Sequence, residues 1–107
     1  MRLEKTFTPH TVTVTPFLGE GANGEIWGPA SEVRDVFVED VQEVVIDDSG
    51  KEVVSSGRVI FNFDDAPLKR SKVTVWAGTL HERTSEIFKL ALNHHDEWPS
   101  FAIGYLR

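Results

Sequence analysis

Cysteine is absent from the 107 residues, so neither a disulfide framework nor a thiolate zinc site is available. A fold of this size without such staples depends on packing or on partners. No apolar run approaches the ~20 residues that a membrane helix requires, and the N-terminal MRLEKTFTPH lacks the apolar core of a signal peptide. Those two absences predict a soluble, untargeted chain. Basic residues are in the minority, 11 against 17 acidic, for a formal charge of −6. A surface of that sign repels phosphate and argues against a dedicated DNA- or RNA-binding module, although a locally basic face stays open.

Ordinary amounts of the rest are present. Hydrophobic residues make up 40% and charged residues 26%, which is globular usage, and the length suits a single domain spanning 1–107. From residue 10 onward the pattern is mostly period two, with β-branched and aromatic residues between turn signals. In HTVTVTPFL, Val12 and Val14 point one way and Thr11, Thr13 and Thr15 the other, and Pro16 marks an edge or a bend. SEVRDVFVEDVQEVVID reads as one long bent strand or two short ones, with a phase change near Phe37 that a bulge would explain. DDSGK, residues 47–51, is a hairpin turn: Asp and Ser bond their own backbone, and Gly50 takes positive φ. Val59, Phe61 and Phe63 then alternate with Arg58, Ile60 and Asn62, which places the first three on a buried face, with Gly57 a bulge or kink. Val73 and Val75 share a face of KVTVWA, and SFAIGYLR reads as a closing strand with Phe101, Ile103 and Tyr105 on one side.

One segment is ambiguous. Thr79 to Trp98 contains no Gly or Pro, opens with a capping-box-like Thr79-x-x-Glu82, and carries Leu80, Thr84, Ile87, Phe88 and Ala91 at helical spacing. Phe88, Leu90 and Leu92 also alternate with Lys89, Ala91 and Asn93, and we prefer the strand, leaving a short helix within 79–92 as the other option.

The motif that stands out is FLGEGANGEIWG, with Gly19-x-Gly21-x-x-Gly24. It is locally similar to the phosphate-covering loop of protein kinases, but the downstream lysine strand, catalytic loop and Asp-Phe-Gly are missing. Gly28-Pro29 also prevents the helix that a dinucleotide site needs. A hairpin with positive φ at the glycines and at Asn23 accounts for the spacing. His94-His95-Asp96-Glu97, with His81, has metal-ligand residue types, but adjacent histidines diverge on a strand or helix, and we expect no metal site or cofactor. Ser55, Ser56, Ser85 and Ser100 have no nucleophile motif around them, Glu39-Asp40 and Asp47-Asp48 read as solvated strand ends, and Lys69, Arg70 and Lys72 as a solvated loop. No enzyme is expected. Trp27, Trp76, Trp98 and seven Phe exceed what one small core absorbs, so part of this aromatic set is expected at an interface.

Taken in order, HTVTVTPFLGEGANGEIWGP, VRDVFVED, DDSGKEVVSSGRVIF and SKVTVWAG resemble the head-to-tail stopper (head-closure) proteins of long-tailed bacteriophages, particularly those of actinobacteria, over about two-thirds of the chain. The resemblance implies an all-β fold: a small antiparallel β-barrel or barrel-like sandwich with long hairpin loops. It further implies a structural virion protein at the head–tail neck, assembled in the host cytoplasm as a homo-oligomeric, sixfold ring. Portal-adaptor proteins would be its partners on the capsid side and the tail terminator protein on the tail side, with double-stranded DNA passing through the channel without sequence-specific binding and no membrane involved. In such proteins a loop from each subunit reaches the ring axis. The tip Asp47, Asp48, Ser49, Gly50 and Lys51 is the candidate here, its two aspartates against one lysine lining the bore with negative charge. Trp98 and Phe101 are the candidate subunit or partner contacts. The rival class is a small-ligand or carbohydrate-binding β-sandwich whose tryptophans stack on a sugar. Titration with ATP or NAD is expected to leave the backbone resonances of Gly19 to Gly24 unshifted; saturable micromolar binding there would overturn the turn assignment.

Overall fold

The computed structural model describes residues 8–94, 96–97 and 99–107. Strands follow where the sequence alternates: β1 (His10–Thr15), β2 (Phe17–Gly21), β3 (Gly24–Trp27), β4 (Ser31–Glu39), β5 (Glu43–Ile46), β6 (Glu52–Ser55), β7 (Gly57–Asn62), β8 (Lys72–Val75), β9 (Arg83–Asn93) and β10 (Phe101–Leu106). Six of them close into an antiparallel barrel in the order β1-β4-β7-β10-β9-β8, with β8 returning to β1, so the fold is a true barrel rather than a sandwich. β2-β3 and β5-β6 are two-stranded hairpins outside that barrel.

Inward-pointing positions alternate along the barrel strands, and most of them hold valine. Val12, Val14, Val36, Val38, Val59, Val73 and Val75 pack with Phe61, Ile87 and Leu106 into one buried cluster. Small barrels are filled by side chains and hold no lumen. Phe61 is the large member, and it fits because Gly104 stands opposite. A Cβ at Gly104 would lie 3.3 Å from the Phe61 ring and 3.2 Å from Ile87. Ala102, Gly104 and Leu106 thus face inward on β10, which leaves Phe101, Ile103 and Tyr105 together on the half-buried outer side.

Two irregularities keep the alternation in phase. The β1–β4 register gains a residue between Val33 and Val36, where Asp35 takes φ 59°, so the phase change anticipated near Phe37 falls two residues earlier. In β9 the register with β10 shifts between Lys89 and Ile87, and the extra residue, Phe88, is buried without joining the barrel cluster. The ambiguous segment is strand from Arg83 onward, with no helix within 79–92. Its capping-box residues close a turn instead: Thr79 Oγ1 donates to the Trp76 carbonyl (2.6 Å), and the Gly78 N–H donates to Glu82 Oε1 (3.0 Å). The same side chains that satisfy a helix end satisfy any short run of free backbone donors and acceptors.

Phe63 corrects the expected face. β7 ends at Asn62, and Phe63 begins a 3-10 turn through Asp65, its ring 4.8 Å from that of His94 and outside the core. Asn62 is buried in its place and donates to the Asp35 carbonyl. Gly57 is a close-approach position: a Cβ there would meet the Glu39 carbonyl at 3.0 Å and an Arg83 nitrogen at 2.9 Å. The two phenylalanines should therefore separate in urea denaturation. Phe61→Ala is expected to cost ~3–5 kcal/mol, and Phe63→Ala only a small part of that; equal losses would contradict the assigned faces.

Candidate functional site

Both hairpins outside the barrel carry apolar residues in water. On β5-β6, Val44 and Val54 stand directly opposite each other at 63% and 61% exposure, with Ile46 beside them. On β2-β3, Leu18 and Ile26 are exposed. A two-stranded hairpin is marginal by itself, so each must be held by something else.

Consecutive residues on the loop before β8 do the holding. Arg70 takes positive φ, 76°, which lets its N–H reach the Ile87 carbonyl (2.8 Å) while its guanidinium turns to β2-β3. There it meets Glu20 at 3.0 Å and Glu25 at 3.4 Å, and lies 4.2 Å from the Phe17 ring centroid. The hydrogen bond to Glu20 raises the Arg70 pKa further above its ordinary value, so this clamp keeps its charge. Lys72 Nζ lies 4.7 Å over Trp27, whose ring meets Phe17 edge-on at 5.3 Å, and buried Ser71 accepts the Phe17 N–H at 3.0 Å. Lys69 pairs with Asp48 at 2.7 Å on the other hairpin, and Lys89 Nζ donates to the Ile46 carbonyl. The basic knot read as a solvated loop is largely exposed, and its side chains also reach both hairpins. Sequence spacing could not reveal it, because its partners lie 21 to 50 residues away.

The glycine stretch is the β2-β3 hairpin, turning at Ala22-Asn23, with positive φ at Gly19 and Gly24 but not at Asn23. The candidate tip Asp47 to Lys51 is the β5-β6 turn. Asp47 Oδ1 accepts three hydrogen bonds, from Ser49 N–H (2.9 Å), Ser49 Oγ (2.6 Å) and Lys51 N–H (3.0 Å), and Gly50 has φ 85°. Asp47 keeps its negative charge while it braces the turn, and Asp48 is paired with Lys69, so that pair offsets one of the two negative charges at the tip.

The remaining candidates are structural in their contacts. Ser55 donates to the Gly57 and Leu106 carbonyls, and Arg83 gathers Ser56, Ser85 and Asp40, the last at 2.6 Å. Glu39 pairs with Arg58 at 2.6 Å. Among the described residues, none of Ser55, Ser56 and Ser85 bonds a histidine, and no three His, Asp or Glu are grouped to hold a metal ion. No helix among them is long and apolar enough to cross a membrane. Phe101 lies half-buried on the outer face of β10. Trp98 and His95 lie outside the described residues. As for a sugar platform, Trp27 is covered by Lys72, and half-buried Trp76 packs on the core and edge-on to His10 at 5.1 Å.

Comparison with protein-family models, with curated proteins and with solved structures finds no match.

The braced tip titrates in a defined direction. The Ser49 hydroxyl first, then the Lys51 and Ser49 amides, hold the Asp47 carboxyl below its ordinary value. A depressed carboxyl stabilises the turn above its unfolded pKa, and that contribution disappears as pH falls through the folded one. Amide shifts of Ser49 and Lys51 are therefore expected to titrate with a midpoint below the usual aspartate range, and Asp47→Ala should abolish the transition while the barrel melts almost unchanged. A midpoint at or above the ordinary aspartate value would contradict the bracing.

Proposed function

We propose that this chain is a structural virion subunit of the head-to-tail stopper kind, forming a ring at the phage head–tail junction that closes the DNA-filled capsid and docks the tail. The observation that carries the reading is the construction of the molecule: a sealed, filled barrel with two hairpins fastened outside it, each showing apolar residues to water. A barrel has no free edge to pair, so contacts between such subunits fall to the hairpins and loops. The order of motifs along the chain supports the same reading.

In this role the β5-β6 tip, Asp47 to Lys51, reaches towards the channel. Asp48 there is paired with Lys69 and Asp47 keeps its charge, while the chain as a whole carries −6. Such a lining disfavours sticking to a sliding duplex, and retention of the genome is steric. Like-charged copies also repel one another until a platform orients them, so the ring forms on the portal-adaptor assembly.

Light scattering of the purified chain with and without adaptor-bearing portal tests this. A monomer or weak oligomer alone that becomes a defined ring on the platform is expected. A tight ring at micromolar concentration without the platform would refute templating, and no association with any virion component would refute the stopper function.

A further inference from the structure

At one end of the β1–β4 seam the ladder pairs His10 with Val36. Two residues further along β4, the Val38 N–H donates to a side chain, His10 Nδ1 accepting at 3.0 Å. The imidazole there takes the place of a strand carbonyl. A neutral imidazole has a single acceptor nitrogen, so this bond puts the ring proton on Nε2. Two aromatic rings hold the imidazole in position: Phe37 at 5.6 Å between centroids, and Trp76 at 5.1 Å and nearly perpendicular. Trp76 itself has φ 56°, a left-handed conformation that is costly for a bulky aromatic residue and persists only where the surroundings fix it. Its carbonyl is fixed by the Thr79 hydroxyl and N–H, and its ring by the core cluster and His10.

Val38 is the next-to-last residue of β4, and three residues beyond that strand the chain enters β5, so the imidazole grips the root of the β5-β6 hairpin. The other fastenings of that root are ionic. Glu39 pairs with Arg58 at 2.6 Å, Arg58 also lies 3.5 Å from Glu43 on β5, and Asp40 pairs with Arg83 at 2.6 Å. Histidine as a class changes charge between about pH 5 and 8, above the range in which carboxylates do. The charged group that shares a groove with the imidazole is Glu32 of β4, which lies 3.8 Å from Arg34. Across Trp76 a second groove holds His81 of the β8–β9 turn and Asp40, the latter committed to Arg83.

We propose that His10 is a pH-operated latch on the root of the β5-β6 hairpin, closed while the imidazole is neutral and released when it gains a second proton. The cation carries hydrogen on both nitrogens, so Nδ1 no longer accepts and the Val38 N–H faces another donor. With Phe37 and Trp76 packed against it, the ring cannot swing away without giving up both contacts. The end of β4 then loses its tie to β1, and the hairpin that it carries loosens at the root. The tip keeps its shape through the same range, because the Asp47 carboxyl, held below its ordinary value, stays ionised and goes on bracing the turn. This device goes beyond the ring reading and stands whether or not the chain is a ring subunit.

NMR of the full chain between about pH 8 and 5 tests it. Ring nitrogen shifts at the upper end should show His10 with its proton on Nε2, and the Val38 amide should titrate with the midpoint of the His10 ring. Below that midpoint the Val38 amide, corrected for the pH dependence of chemical exchange, should lose about fivefold or more of its protection. The β5 amides should loosen with it, while the Ser49 and Lys51 amides keep their shifts. His10→Asn puts an amide oxygen where the imidazole has Nδ1 and carries no titrating group, so Val38 and β5 should stay protected throughout. His10→Ala should leave both unprotected at either end of the range. A ring protonated on Nδ1 at neutral pH, a Val38 amide that ignores the His10 titration, or an asparagine variant that still loosens in acid would overturn the latch. So would a Val38 response that stops short of β5. Should the alanine variant not fold, the asparagine comparison decides alone.

Discussion

Three residue pairs, Thr13 with Thr74, Val14 with Val73 and Thr15 with Lys72, turn a six-stranded sheet into a tube, and the rest of the molecule follows from that closure. An open sheet of this size would leave one face of valines in water and two long edges unpaired. Closing it puts Val12, Val14, Val73 and Val75 inside with the other core residues and leaves no edge in the barrel for a second chain to extend. In a chain without cysteine, that is the source of stability that remains. It also constrains composition: with so narrow an interior, one phenylalanine is accommodated only opposite a glycine, as Phe61 is opposite Gly104.

Closure has a second consequence. Chain that does not belong to the six strands has to leave the barrel, and it does so as β2-β3 and β5-β6. Neither hairpin has a core of its own, and both rely on the loop before β8, where Lys69 and Arg70 reach one hairpin each and Ser71 ties Phe17 down. Exposed ion pairs contribute little after solvent screening, so the hairpins are fastened far less firmly than the barrel strands. Elements of low local stability are the ones that can rearrange when a partner arrives. A rigid barrel carrying weakly fastened apolar hairpins is well suited to assembly on a platform.

Much of the barrel was legible because period two is a local property. Val12 and Val14, Val73 and Val75, and Val59 and Phe61 declare their faces without reference to any partner. Local chemistry also announced the Asp47-Asp48-Ser49-Gly50-Lys51 turn, since an aspartate bonds backbone two and four residues ahead whatever surrounds it. Legibility failed where a local signal had two uses. Thr79 and Glu82 cap a turn as well as they would a helix, and Phe63 continues an alternation that the backbone abandons one residue earlier. The candidate site was legible in part: the tip was visible, but not the pairing of Asp48 with Lys69.

By itself, then, the sequence determined the strand character, most inward faces and the turns, because side-chain alternation and turn chemistry act within a few residues. It also excluded disulfides and thiolate metal sites. Only the tertiary structure decided that the sheet closes, that β5-β6 and β2-β3 stand outside it, that Lys69 and Arg70 pair with them, and that Phe88 is buried without joining the barrel cluster. Each of these depends on residues far apart in the chain meeting in space, a matter of register and closure that no short window of sequence contains.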